Sequence, residues 1–267
     1  MPEKFKKQRK IQQGSGGFLK FLGTAGARFV MLKQLRASGG IWINYEGVNV
    51  LLDPGPGSLL RCLSSRPKLD PEQLDSVIIT HRHLDHSNDV NVMLEAMTEG
   101  GFRKRGSLFL PADAIDSEPI ISSHIRGAIE RVEILKENAA YTVGKLKFFT
   151  AMRHIHSVET YGLKFELGAR TVGLISDTRY FDELSHAYGS DILIINVVFH
   201  QPHPGVDHLS LADAENIIKI SKPKEAIITH FGMSMLKAKP HILEDELRNK
   251  LGVNVICAYD GMTIPIV

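Results

Sequence analysis

The stretch His81-Arg82-His83-Leu84-Asp85-His86 puts three imidazoles and one carboxylate within six positions. It follows the apolar run Ser76–Thr80, so it lies just past a strand. In an extended or tightly turned loop, His81 and His83 can face one cation while Asp85 and His86 turn to a second. Neutral imidazole and carboxylate suit zinc, and also manganese or iron. Two cations about 3.5–4 Å apart can hold a hydroxide between them. The plain alternative is a polar surface loop, and so many donors directly after a buried strand argue against it.

A two-metal site needs donors from elsewhere, at strand ends beside small or turn residues. Three candidates fit. His156 lies in His154-Ile155-His156-Ser157 ahead of the run at Tyr161, Asp177 ends the run Val172–Ser176, and His230 ends the run Ala226–Thr229. Each alone would read as a capping aspartate or a partly buried histidine. Beside the first cluster, they supply what it lacks. The wider composition agrees: twelve histidines stand against two cysteines, Cys62 and Cys257, so metal would be held by imidazole and carboxylate. Two cysteines exclude a disulfide framework and a cysteine-rich zinc module.

The elements that must position these residues are short. Strand-type runs are Phe18–Leu22, Ile41–Tyr45, Val48–Leu52, Ser76–Thr80, Ser107–Leu110, Leu146–Thr150, Tyr161–Glu166, Thr171–Ser176, Asp191–Val198, Ala226–Thr229, Val253–Ala258 and Thr263–Ile266. Helical patterns cover Asp89–Thr98, Ser210–Ser221 and Ile242–Lys250. Ser210 with Asp213 three residues on approximates a capping box. Strands outnumber helices and the two interleave, which favours sheet packed on sheet with helices outside. Ser76–His81 (SVIITH) and Glu225–His230 (EAIITH) echo each other. The echo is either chance or the mark of two related half-sheets, each presenting a histidine at a strand's carboxyl end.

Several further segments join these into one pattern. They are Phe21-Leu22-Gly23-Thr24-Ala25-Gly26-Ala27, Leu52-Asp53-Pro54-Gly55-Pro56-Gly57, His156-Ser157 before Tyr161-Gly162, Asp177-Thr178, His208 with Ser210 before a helix, and Thr229-His230-Phe231. With His81–His86, and in this order over nearly the whole chain, they resemble the metallo-β-lactamase superfamily. Within it they resemble the ribonuclease Z-like phosphodiesterase branch. The resemblance implies an α/β fold, a four-layer αββα sandwich of two mixed β-sheets with helices outside and metals at one edge between the sheets. It implies two divalent metal ions per chain, zinc first, with manganese or iron as alternatives. His81, His83 and His156 would hold one ion, Asp85, His86 and His230 the other, and Asp177 would bridge. Asp53 would orient ligand histidines as a hydrogen-bond acceptor. His154 rivals His156, but His-Ser before Tyr-Gly is the family's pattern.

The activity implied is hydrolysis of a phosphodiester by a metal-bridging hydroxide. Asp85 and His208 are the catalytic candidates, with His208 as general acid or phosphate-oxygen donor; the plain reading of His208 is a helix-entry residue near Asp207. The turn Gly23–Gly26 could bring backbone N–H groups to a phosphate, or be a simple tight turn. Gly23, Thr24, Lys33 and Arg36 are the candidate substrate contacts. Ribonuclease Z proper carries a long tRNA-gripping arm between the positions of His156 and Asp177. Only positions 157–176 separate them here, enough for a hairpin. The segment Arg28–Arg36 also lacks the family's usual proline. A short RNA end or cyclic nucleotide therefore fits at least as well as precursor tRNA. Hydrolysis of a thioester, lactone or β-lactam on the same metal frame is the alternative, and a non-catalytic metal-binding protein the second.

Length and charge set the remaining expectations. The motifs need the whole chain, so residues 1–267 are expected to form one hydrolase domain with a basic N-terminal segment at 1–15. The formal net charge is +2, but residues 1–10 hold five basic residues against Glu3. Without them 27 basic face 29 acidic residues, so the basic balance belongs to the tail and argues weakly for a nucleic-acid surface. No run spans a bilayer: Ile192–Phe199 is short and broken by Asn196, and Lys20 and Arg28 interrupt any signal-peptide core. A cytoplasmic protein without a membrane partner is expected. Phe102 and Met233 are equally readable as dimer surface or core. His124, His154, His186, His200, His203 and His241 have no assigned role, though His200 and His203 could line the pocket mouth ahead of His208.

Overall fold

The computed structural model describes residues 16–266; the basic segment 1–15 lies outside the described residues. The first sheet contains β1 (Gly17–Phe21), β2 (Ile41–Tyr45), β3 (Val48–Leu52), β4 (Ser76–Ile78), β5 (Arg105–Leu110) and β6 (Ile129–Ile134). The second contains β7 (Ala140–Val143), β8 (Leu146–Arg153), β9 (Tyr161–Leu167), β10 (Arg170–Ile175), β11 (Ile192–Asn196), β12 (Glu225–Thr229) and β13 (Asn254–Cys257), and β14 (Thr263–Ile266) returns to the first beside β1. The helices are α1 (Ala27–Leu32), α2 (Ser58–Ser64), α3 (Leu84–Ser87), α4 (Val90–Met97), α5 (Ser123–Arg126), α6 (Leu184–Ala187), α7 (Leu211–Ser221), α8 (Met233–Lys237) and α9 (Pro240–Leu251).

Local sequence explains the joints. Glu46 and Gly47 link β2 to β3 with φ of 48° and 83°, the positive pair that a two-residue hairpin turn requires. Helix α7 opens on a full capping box: Ser210 accepts from the Asp213 N–H, and the Asp213 carboxylate accepts from the Ser210 N–H. Along the strands the side chains alternate between the inner and outer faces of each sheet. Ile78 points inward, for example, and Val77 and Ile79 outward.

The result is four layers. Phe21, Ile43, Val50 and Phe109 of the first sheet pack against Phe148, Leu163, Phe165 and Ile194 of the second. Outside the first sheet, Trp42, Leu51 and Leu108 meet Met93, Leu94 and Met97 of α4. Outside the second, Leu193, Ile195 and Ile228 meet Ile217 and Ile218 of α7 and Leu243 and Leu247 of α9. Cys62 and Cys257 are both buried and unpaired, and burial pushes each thiol up to about 12. No described helix is long and apolar enough to cross a membrane. Phe102 is exposed, whereas Met233 is half-buried.

The sheets repeat one plan. The first has the order β14-β1-β2-β3-β4-β5-β6 and the second β7-β8-β9-β10-β11-β12-β13. Both begin with three antiparallel pairings and end with three parallel ones. The SVIITH and EAIITH strands are nevertheless not counterparts, because β4 is fifth in its sheet and β12 sixth. The matching positions are the fourth strands, β3 and β10, which lead into Asp53 and Asp177. The interval 157–176 holds the hairpin β9–β10. Strands β6 and β7 and helices α1, α2, α3, α5, α6 and α8 escaped the sequence reading.

Phe148 sits where the sheets meet, edge-on to Phe109 at 5.0 Å and stacked with Tyr141 at 5.0 Å. It is fully buried. Phe148→Ala is expected to lower the free energy of unfolding by about 3–5 kcal/mol, measured by denaturant titration.

Candidate metal centre

Strand ends deliver the donors. Asp53 follows β3, His81 and His83 follow β4, Asp177 follows β10 and His230 follows β12. The four-residue α3 then turns Asp85 and His86 back toward the strand ends. His156 comes from the loop between β8 and β9, and His208 from the loop that enters α7. Asp53 and His230 hold left-handed backbones, with φ of 51° and 62°. Such strain is typical of functional positions. Two glycines make room. A Cβ on Gly55 would lie 2.0 Å from the Asp85 carbonyl oxygen, and one on Gly26 would lie 2.0 Å from that of His230.

Three overlapping groups of donors result. His81, His83 and His156 form one, Asp85, His86, Asp177 and His230 a second, and His156, Asp177 and His208 a third. Each offers ligand atoms within 4.8 Å of one another. His83 Nδ1 lies 3.1 Å from His156 Nε2, and His86 Nε2 lies 2.9 Å from His230 Nε2. Tetrahedral ligands at Zn–N of about 2.0–2.1 Å are separated by about 3.3 Å. The Asp177 carboxylate joins the groups, with Oδ2 3.9 Å from His81 Nε2, 3.5 Å from His86 Nε2 and 3.4 Å from His208 Nδ1. Asp85 Oδ2 is 3.3 Å from His230 Nε2.

Partners on the far side of each ring aim the free nitrogens inward. His86 Nδ1 donates to Asp53 Oδ2 at 3.0 Å. His156 Nδ1 donates to the Asp207 carbonyl at 2.9 Å. The Thr80 hydroxyl donates to Asp53 Oδ2, so at 3.1 Å it is an acceptor for His81 Nδ1. Ser157 Oγ lies 3.4 Å from His83 Nε2, on the side of that ring away from His156. In each ring the other nitrogen keeps its lone pair and faces the cluster, as metal-binding imidazoles require. His81 Nε2 and His230 Nδ1 are buried without any hydrogen-bond partner. Orphaned buried acceptors are costly, and a cation satisfies them. The donor set therefore fits divalent metal.

The electrostatics agree. Burial, helped by His86, holds His81 well below the usual histidine range, and burial with His156 pulls His83 down to about 4. Both rings are neutral donors at physiological pH. Burial opposes the charge on Asp177, but His230, His86 and His208 outweigh it and keep the carboxyl well below its usual range. For His86 the balance reverses: burial would lower it, yet Asp177, Asp85 and Asp53 raise it well above normal. Three carboxylates around one ring make a field that favours positive charge.

The other sequence candidates divide. His208 is at the cluster, with its ring 5.1 Å from His156. His154 is outside it, buried against the Tyr188 hydroxyl at 2.7 Å and held by burial at about 3. The N–H groups of Ala25 and Gly26 already donate to the carbonyls of Ala37 and Phe231, so this part of the glycine turn is used in packing and not open to a phosphate. Gly23 and Thr24 border the cavity beside Asp85, His86 and His230. Thr24 Oγ1 donates to Asp260 at 2.7 Å and accepts from Arg36 at 3.2 Å. Lys33 is exposed just past α1. His203 stacks on Phe199 at 4.9 Å, and Phe199 is 6.2 Å from His208. The sequence reading missed Asn196, whose Nδ2 donates to Asp177 Oδ1 at 2.8 Å from within an otherwise apolar strand. That polar interruption was the signal.

Fold and site together define a layered α/β protein with a histidine–aspartate centre between two sheet edges. The model of the family described as the beta-lactamase superfamily domain matches residues 48–231. The chain belongs to this family and has the metallo-β-lactamase fold. It is 27% identical over 257 residues to the uncharacterized protein MJ1374 of Methanocaldococcus jannaschii, covering 92% of this chain and 94% of that one. It is 24% identical over 224 residues to the probable metallo-hydrolase YhfI of Bacillus subtilis, covering 80% and 85%. A ribonuclease Z of Kineococcus radiotolerans matches at 26% over 149 residues, covering 54% of this chain and 46% of that protein. Among solved structures, the crystal structure of YhfI superposes with a TM-score of 0.79 at 20% identity, over 94% and 99% of the two chains. A diphosphatase from the PhnP family superposes at 0.66, also at 20% identity, over 94% and 97%.

Asn196 offers a direct test of this geometry. Asn196→Leu removes the donor that fixes Asp177. Zinc affinity is expected to fall about tenfold, measured by calorimetric titration of metal-free protein.

Proposed function

We propose that the chain is a dinuclear metal-dependent phosphodiesterase acting on a small nucleotide or an RNA end. The observation that carries this reading is His208. It is a partly exposed imidazole, 3.4 Å from Asp177, beside a cluster already rich enough in donors for two ions. His81, His83 and His156 would hold one divalent ion, Asp85, His86 and His230 the other, and Asp177 both. Zinc is the first choice, and manganese or iron are accommodated. When bound, such ions supply Lewis acidity toward phosphoryl oxygens and a water activated at neutral pH.

The protein's own groups do the rest. Asp53 orients His86, the Asp207 carbonyl orients His156, and Asn196 orients Asp177. Asp85 Oδ2 stands 3.3 Å from His230 Nε2, among the donors of the second ion. The α7 capping box holds the backbone immediately after His208. From there His208 protonates the departing oxygen or donates to a phosphoryl oxygen. Arg36, with its guanidinium 5.9 Å from the centre of the Phe231 ring and bonded to Thr24 of the cavity lining, is the candidate cation to meet an anionic substrate.

The hairpin β9–β10 leaves no arm for tRNA, which supports a small substrate. The likeness to a PhnP-family diphosphatase and to a ribonuclease Z supports phosphoryl chemistry over thioester, lactone or β-lactam hydrolysis. The donor set of both groups makes a non-catalytic metal-binding protein the weaker reading. We take residues 16–266 as one hydrolase domain, because the site draws on both sheets. The two buried, unpaired thiols support a cytoplasmic setting.

One observation favours a second role for His208: it also belongs to a donor group with His156 and Asp177. His208→Ala separates the roles. A general acid predicts full metal content and a rate lower by about 10²–10⁴. A ligand predicts metal loss, as His83→Ala should show together with loss of activity. Metal content by elemental analysis and turnover of bis(p-nitrophenyl) phosphate decide between them. The same protein tested on cyclic nucleotides, precursor tRNA, a thioester and a lactone should turn over the phosphodiesters. Turnover of the thioester or lactone alone would overturn the phosphodiesterase reading.

A further inference from the structure

Arg82 stands between two of the cluster histidines yet points away from them. Its Nε donates to Asp113 Oδ2 at 3.0 Å, and its guanidinium also pairs with Glu118 at 2.5 Å. Asp113 lies in the turn Ala112–Ala114, just after β5. The same Oδ2 accepts the Glu159 backbone N–H at 3.1 Å. Glu159 answers through Oε2, which accepts the Asp113 N–H at 3.3 Å, and its Oε1 takes the Tyr161 hydroxyl at 2.7 Å. Glu159 belongs to the loop that carries His156 and Ser157, which is closed by the His154 N–H on the Thr160 carbonyl at 2.8 Å.

One carboxylate oxygen thus receives a donor from the His81–His83 loop of the first sheet and a donor from the His156 loop of the second. The first group of donors spans this junction, with His83 and His156 3.1 Å apart. The second group, with Asp85, His86, Asp177 and His230, is braced by Asp53 on His86 and Asn196 on Asp177, and neither of these hydrogen-bonds His83 or His156. From this division we propose that Arg82 and Asp113 are positioning residues that hold His83 and His156 together as one metal subsite. This rests on the metal reading above and adds to it the residues that fix the distance between the two sheets' ligands. Arg82 and Asp113 are both about one-fifth exposed, so the pair is partly screened by solvent and its value lies in geometry rather than in bulk stability. Glu118 is two-thirds exposed and contributes little.

The test is a calorimetric zinc titration of metal-free parent, Arg82→Ala, Arg82→Lys, Asp113→Asn and Glu118→Gln, with thermal unfolding of each metal-free protein. Arg82→Ala and Asp113→Asn should weaken one of two zinc-binding steps about tenfold or more, the usual cost of losing a group that orients a ligand, and leave the other step unchanged. Arg82→Lys should recover part of the loss, and Glu118→Gln should match the parent. If Arg82→Ala does not fold, Asp113→Asn decides. Parent affinity at both steps in the folded variants overturns the proposal and leaves the metal reading intact. So does equal weakening of both steps alongside a lower melting temperature, because that is the signature of general destabilisation. A parent that binds no zinc overturns the metal reading and this proposal with it.

Discussion

The centre depends on how Asp53 and Thr80 are joined. Asp53 leaves β3 in a left-handed turn and donates its N–H to the Ile78 carbonyl, locking it beside the end of β4. Its carboxylate accepts the Thr80 N–H and hydroxyl, each at 2.7 Å, and the His86 ring at 3.0 Å. Thr80 then reaches the other sheet. Its carbonyl accepts the Tyr161 N–H at 3.1 Å, and its hydroxyl meets Ser176 Oγ at 2.9 Å. One carboxylate and one threonine therefore fix the start of the His81–His86 loop against both sheets. Charge-assisted bonds to a buried carboxylate are strong and directional, and they suit a task in which ring orientation decides whether donors converge.

That junction explains why a repeated sheet plan yields one asymmetric site. Each sheet turns from antiparallel to parallel pairing at its fourth strand, and an aspartate follows that strand in both. Asp53 is turned outward from the cluster to hold His86, while Asp177 points into it and meets His81, His86, His208 and His230. The chain has used equivalent positions for a support and for a donor. Asn196 belongs to the same logic. It ends β11, opposite Thr229 on β12, and aims Asp177 just before His230 begins.

The field inside the cluster is a second constraint. Burial penalises charge on Asp85 and Asp177, and the imidazoles that face them outweigh it and hold both carboxyls below their usual range. His86 is pulled toward protonation by Asp177, Asp85 and Asp53, while His81 and His83, further into the histidine-rich side, are pushed the other way. The two halves of the cluster thus differ in character, one carboxylate-rich and one imidazole-rich, with Asp177 reaching both. Imidazole-rich sites favour zinc and its borderline neighbours, and carboxylate-rich ones accept harder cations. The chain presents both side by side.

Much of this was legible in the sequence because donors are rare residue types at strand ends. His81–His86, Asp177 and His230 stand out against the apolar runs that deliver them, and the many short strands interleaved with helices pointed to sheet packed on sheet. The edge strands β6 and β7 did not stand out. In β6, Glu130 and Arg131 are exposed and Glu133 is half-buried at a sheet margin, and the pattern reads as a charged loop. Helices α1 and α2 have only six and seven residues, too short to show a helical period. The supports were hidden for a deeper reason. Asn196, Ser157, Arg82 and Asp113 are ordinary residues whose meaning comes from partners brought near by folding. Arg82 and Asp113 are 31 positions apart, and Asp113 and Glu159 are 46. A ligand can be recognised by what it is, whereas a support can be recognised only by where the fold puts it.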